Sequence, residues 1–406
     1  MKPLGPIPSG FDADADGCLL IAGRAADDLA AEAGGTPLFV YDSGLVERQI
    51  HRFRAAMPEE VLLHYAVKAN PYAPLLSWIA DKVDGFDVAS AGELGRVAHL
   101  GLPISFAGPG KSDQQLETAL RAGVTINLES EGEAERALAI SAGLSRPPKL
   151  AVRVNPPFAL KGAGMKMGGV ASQFGVDHDR APALIKRLVT AGADWRGLHI
   201  YTGSQALHAD ALIEVQTATV ALAAEIAGQA GAGPPEVNLG GGFGIPYFVG
   251  ERPLDVESVG ATLSKTLAER PKVLTETKFA IELGRWLVGE AGVYLTRIVD
   301  RKESRGETFL ITDGGLQHVL AASGNFGQLL RRNYPVAIAN RFGEDTAEDV
   351  TITGCLCTPL DLLAHEVALP RAGIDDLVAI FCVGAYGLSA SPQEFLGQTR
   401  AREILV

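Results

Sequence analysis

The chain is poor in the features that would tie it to an oxidising compartment, a nucleic acid or a membrane. Four cysteines in 406 residues, Cys18, Cys355, Cys357 and Cys382, are too few for a disulfide framework. Cys355 and Cys357, one residue apart on an expected strand, should face opposite sides, which argues against a shared metal; none is expected. Lysine and arginine number 36 against 48 aspartates and glutamates, a net charge of -12, with no basic block or arginine–aromatic cluster. That balance excludes nucleic acid and anionic membrane as partners and favours a small molecule. No run approaches the ~18 apolar residues of a bilayer span. The opening MKPLGPIPSGFDADADG lacks the basic start and apolar core of a signal peptide, so a cytoplasmic location is expected.

What is present is a hydrophobic content of 47%, enough to bury a large core split into two domains. Short apolar runs recur at 61–68, 86–90, 104–108, 124–129, 149–155, 195–203, 236–241 and 278–284, with Ala/Leu-rich helical segments between them. Eight strand–helix units point to a (β/α)8 barrel, and an open doubly wound sheet fits the alternation almost as well. The barrel is favoured because Lys68, Asp87, Arg153, Tyr201, Gly240 and Glu282 each fall at or just past the C-terminal end of a strand, the face that carries barrel active sites. From about 285 the texture turns β-rich. The expected division is a barrel over 36–282 and an all-β domain over 283–406, with 1–35 contributing a strand to the latter.

Lys68 ends the apolar run before Ala-Asn-Pro. A lysine at a strand tip in apolar surroundings is a nucleophile for a carbonyl, although a plain solvating lysine reads the same in isolation. Gly240, Gly241 and Gly242 follow the seventh strand and would let backbone N–H groups approach an anion such as phosphate, or simply make a tight turn. Glu282, followed by Gly284 and Arg285, is a carboxylate suited to a pyridine nitrogen, or to an internal ion pair. Cys357 could donate or accept a proton, and Tyr386, between glycines, could meet a ligand phosphate or carboxylate.

YAVKAN, DVASAGEL, RVNP, GSQ, GGGFG, E-x-GR, C-x-x-x-D and GAY, in that order over residues 36 to 397, resemble the fold-type III pyridoxal-phosphate decarboxylases, the family of the diaminopimelate and ornithine decarboxylases. The resemblance implies an alanine-racemase-like (β/α)8 barrel plus a C-terminal β-domain, in a head-to-tail homodimer with shared active sites. It implies pyridoxal 5'-phosphate as cofactor and a Schiff base at Lys68. Gly240, Gly241, Gly242, the Arg285 main chain and Tyr386 would hold the phosphate, and Glu282 the pyridine nitrogen. Asp87, Arg153, Ser204 and Gly284 would also line the cofactor. Cys357 would enter from the partner subunit.

Three departures bear on substrate. Tyr201 stands where the family carries a ring-stacking histidine, with His199 two residues earlier. Thr358 replaces the acidic residue that follows the cysteine and receives a distal amino group; an unpaired ammonium there costs roughly 1–3 kcal/mol. The arginine-containing stretch of the diaminopimelate enzymes is replaced by AASGNFGQLLRRNYPV (321–336). Together with CTPLDLLA and GAYGLSASP, that stretch is similar to an exosortase A-associated subgroup and to decarboxylases acting on an aminoacyl carrier protein. The implied substrate is an amino acid with a masked or carrier-linked far end, with Thr358, Asp361, Arg331 and Arg332 as candidate contacts. Diaminopimelate decarboxylation, amino-acid racemisation and a non-catalytic cofactor-binding role are the alternatives.

Overall fold

The computed structural model describes every residue except 1, 163, 167, 327, 329 and 330. It divides into two units: residues 50–244 with 253–284, and residues 1–49 with 245–252 and 285–406.

After β1 (Leu38–Tyr41), which belongs to the second unit, the next eight long strands build the first. They are β2 (Val61–Ala66), β3 (Gly85–Val88), β4 (Ile104–Phe106), β5 (Thr125–Leu128), β6 (Lys149–Asn155), β7 (Asp194–Ile200), β8 (Glu236–Asn238) and β9 (Lys278–Leu283). All pair in parallel in sequence order, and β9 returns to β2 with Leu283 opposite Tyr65, so the sheet closes into a barrel. Each expected apolar run supplies one of these strands. Outward side chains such as Val61, Leu63 and Tyr65 are almost wholly buried, while the alternating positions carry polar groups inward, among them His64, Asp87, Asn127, Arg153, His199 and Glu282.

The helices begin where the sequence offers caps. Ser90, Ser112, Ser130 and Asp255 each accept a backbone N–H in the first helical turn, and Gly123 and Gly231 end helices in the left-handed region. The helix Ala209–Ala230 is long and apolar enough by length and composition to cross a bilayer. It is one of the Ala/Leu-rich helical segments expected between the strands. Its apolar positions Leu212, Val215, Val220, Leu222 and Ile226 are buried in the barrel unit.

The second unit centres on a mixed sheet. The long strand β10 (Gly292–Ser304) pairs antiparallel with β1, with β11 (Glu307–Thr312) and with β15 (Leu377–Ile380). β12 (Val336–Ile338) flanks β15, β13 (Glu348–Thr353) runs parallel to β11 and antiparallel to β14 (Leu362–Leu369), and β16 (Arg402–Leu405) runs parallel to β1. A separate three-stranded sheet uses Asp12–Ala13, Leu19–Ile21 and Arg24–Ala25. The unit also holds the helix Ala26–Glu32, so it is not purely β. The boundary expected at 36 moves because every residue of β1 is buried and its hydrogen bonds go to β10 and β16, which takes residues 36–49 out of the barrel.

Candidate active site

The barrel carries most of the expected site residues at or near its C-terminal ends. Lys68 follows β2 in a single helical turn and is exposed rather than enclosed by apolar groups; its Nζ lies 5.5 Å from the centre of the Tyr201 ring, just past β7. His199 lies on β7, two residues before Tyr201. It is buried, and its Nε2 donates to Glu282 Oε2 at 3.0 Å. Burial pushes the Glu282 carboxyl up, but His199, Lys68 and Arg153 outweigh it and hold the group below the ordinary glutamate range. Glu282 is therefore a carboxylate at neutral pH despite being 6% exposed.

Glycine is required in the turn after β8. A Cβ at Gly241 would overlap the Glu282 carbonyl, while at Gly240 (φ +71°) and Gly242 (φ +86°) it would sit 2.7 Å from Ile200 O and 2.6 Å from Gly203 O. The Gly240 N–H donates to Asn238 Oδ1 at 2.8 Å. The amides of Gly241 and Gly242 meet no acceptor among the described residues. Beside them Ser204 Oγ is buried, again with no partner among the described residues. Gly284 is also tight, since a Cβ there would come within 2.6 Å of the Ala69 side chain.

Asp87 lies on β3. It is 8% exposed, its neighbour is His64 Nδ1 at 3.5 Å, and neither carboxylate oxygen meets a hydrogen-bond donor among the described residues. The carboxylate stands beside the His64 imidazole. Burial pushes the imidazole pKa down, but Asp87, then Glu236 and Glu282, more than reverse this and raise it to about 9. Arg153 is held by Glu129 Oε1 at 3.0 Å, with its guanidinium 4.8 Å from the Phe174 ring.

In the second unit, Arg285 and Tyr386 come together. The guanidinium lies 4.8 Å from the Tyr386 ring and donates to Tyr247 Oη at 2.7 Å. Tyr386 sits at φ +53°, a conformation that strains a residue with a side chain. Cys355 and Cys357 lie past β13 in a turn, not on a strand; Cys357 is exposed and Cys355 half-buried. Thr358 Oγ1 accepts the Leu360 N–H at 3.3 Å. Asp361 is not presented as a substrate contact: it is 3% exposed and accepts the N–H groups of Leu316 and Leu356 at 2.7 and 2.8 Å. Arg331 donates to the Leu362 carbonyl, and burial lowers its pKa to about 10. Arg332 covers the Phe248 ring at 3.6 Å and pairs with Glu251 at 3.4 Å.

Sequence reasoning missed His64, Glu93, Glu129 and the buried Lys111–Glu133 pair. One signal was available. Ser-x-Gly-Glu occurs after both β3 and β5, as Ser90 to Glu93 and Ser130 to Glu133, and each glutamate reaches back to the N–H just before its serine, Ala89 at 2.7 Å and Glu129 at 2.8 Å.

Residues 43–289 match the pyridoxal binding domain of the pyridoxal-dependent decarboxylases. The chain is 37% identical to the L-glutamyl-[BtrI acyl-carrier protein] decarboxylase of Niallia circulans, over 91% of this chain and 88% of that one. It is 31% identical to the diaminopimelate decarboxylase of Archaeoglobus fulgidus, over 96% and 92%. Among solved structures it superposes on diaminopimelate decarboxylase from M. jannaschii in complex with L-lysine, with a TM-score of 0.85, 25% identity and coverage of 98% and 93%.

Proposed function

The chain belongs to the pyridoxal-dependent decarboxylases, and from that premise we propose that it removes the α-carboxylate of an amino acid whose far end is masked or tethered to a carrier protein. The observation that carries the proposal is the loop after Cys357. Thr358 is uncharged, and the one carboxylate in the Cys357–Asp361 loop, that of Asp361 itself, is turned inward onto two backbone amides. A free distal ammonium would find no anion on this loop, whereas an amide or thioester needs none. The similarity to a carrier-protein decarboxylase supports the same choice.

The residues present fit pyridoxal phosphate. The Gly240–Gly242 turn is a cradle that any Cβ would fill, its two unengaged amides suit phosphate oxygens, and the orphaned Ser204 hydroxyl stands beside it. When bound, the cofactor supplies a ring that takes up the electron pair left as CO₂ departs. Lys68 would hold the cofactor through its amine. Glu282, kept ionised by His199, would hold a proton at the pyridine nitrogen, and Tyr201, beside Lys68, would lie against the ring. Asp87, Arg153, Gly284, Arg285 and Tyr386 are assigned to the cofactor on family resemblance. The C–COO⁻ bond breaks, CO₂ leaves, and the α-carbon takes up a proton from Cys357 of the partner subunit, an acid worth about 10²–10⁴ in rate. The proposed assembly is a cytoplasmic homodimer with shared sites. CO₂ release from a carrier-linked aminoacyl group tests the reading; turnover of free diaminopimelate alone would reject it.

A further inference from the structure

Four charged side chains form an unbroken buried chain in the barrel unit. Lys111, after β4, donates to Glu133 Oε1 at 2.7 Å and to the carbonyls of Gly108 and Asn127 at 2.7 and 2.9 Å, which engages all three of its protons. Glu133 Oε2 accepts the Glu129 N–H at 2.8 Å. The Glu129 carboxylate then accepts three donors: the Gly108 N–H at 2.5 Å, Arg153 Nη1 at 3.0 Å and the Gly175 N–H at 3.1 Å. The side chains of Lys111, Glu133, Glu129 and Arg153 are 1, 3, 2 and 8% exposed. Two cations and two anions cancel, the condition under which burial of charge is tolerated. The chain ties the segments after β4 and β5 to β6 and to the segment ending at Gly175, and its last member is Arg153, one of the cations that hold Glu282 ionised.

We propose that Glu129 is the positioning residue for Arg153: its carboxylate fixes the guanidinium relative to Glu282 and the cofactor, and the Lys111–Glu133 pair fixes Glu129. The proposal rests on the assignment of Arg153 to the cofactor. Glu129 itself touches neither cofactor nor substrate. Replacing it with glutamine removes the charge opposite Arg153 and turns an N–H₂ group either onto the Gly175 N–H or onto the Gly108 N–H and Arg153 together, so the hold on the guanidinium is weakened while most of the volume is kept.

The test compares wild type, Glu129→Gln, Arg153→Gln, the double variant and Leu263→Ala, a core truncation in the helix Val256–Ala268 that lies outside the charge chain. Three quantities are read: affinity for pyridoxal phosphate by absorbance titration, the pH midpoint of the bound cofactor's visible band, and amide exchange at Gly108 and Gly175 in the apoprotein. Glu129→Gln and Arg153→Gln should each weaken cofactor binding about tenfold and shift the midpoint in the same direction. The double variant should be little worse than either single one, the signature of coupled residues. Glu129→Gln alone should speed exchange at both glycines, a readout independent of the cofactor. Should Glu129→Gln not fold, Glu129→Asp, which keeps the charge but withdraws it by one methylene, carries the same expectations. The proposal is overturned if the Glu129 variant resembles Leu263→Ala, with lower Tm but unchanged affinity, midpoint and exchange, or if the two single effects add in full.

Discussion

Replacing Asp87 with asparagine should make the protein's stability lose a specific pH dependence. Asp87 and His64 are both nearly buried and stand 3.5 Å apart inside the barrel, with Glu236 and Glu282 also acting on the imidazole. In the folded protein the His64 pKa is raised to about 9 from 6.5. A shift of that size is worth about 3 kcal/mol, at 1.36 kcal/mol per unit. Because the folded value is the higher one, the contribution is fully present below pH 6.5, declines as pH rises, and is gone above about 9. Asparagine has nearly the same shape but no charge, and burial would then be opposed only by the lesser pull of Glu236 and Glu282 on the imidazole. The gap in unfolding free energy between wild type and Asp87→Asn should therefore shrink by about 3 kcal/mol between pH 6 and pH 9.5. Urea unfolding of the apoprotein at intervals across that range measures it. A gap that stays constant with pH would refute the reasoning and make Asp87 an ordinary polar core residue.

Other outcomes follow from the same geometry. Gly241→Ala should abolish binding of pyridoxal phosphate, checked by absorbance titration, because the added methyl overlaps the Glu282 carbonyl. His199→Leu removes the partner that does most to keep Glu282 ionised, so the acid limb of the activity profile should move to higher pH, with a loss of roughly 1.5–3 kcal/mol in transition-state stabilisation read from kcat/KM. Cys357→Ala should lower kcat about 10²–10⁴-fold while cofactor absorbance is unchanged. Lys68→Ala should lose the visible absorbance of lysine-bound cofactor.

The barrel was legible because each of its strands is a short apolar run closed by glycine, proline or a charged tip, and pairing follows sequence order. The glycine turn and Glu282 were legible for a related reason: both fall where a barrel places chemistry. What escaped depends on partners far apart in the chain. β1 reads as the start of the barrel until its pairing with β10, some 250 residues on, is seen. His64 stands in an apolar run and gives no sign of charge until β3 brings Asp87 to it. Glu129 and Arg153 are 24 positions apart, and nothing in either run marks them as partners. Asp361 looked available because its motif ends a turn, yet the close approach of Gly315 and Gly354 leaves it facing backbone.

The central claim is decarboxylation of an amino acid with its far end masked or carried. It is tested most directly by CO₂ release from cofactor-loaded protein given an aminoacyl acyl-carrier protein, beside free diaminopimelate, lysine, ornithine, arginine and glutamate. The account predicts release from the carrier-linked group at about 1 s⁻¹ or faster, with the free amino acids left intact. Turnover of free diaminopimelate at that rate, with the carrier-linked group untouched, would contradict it.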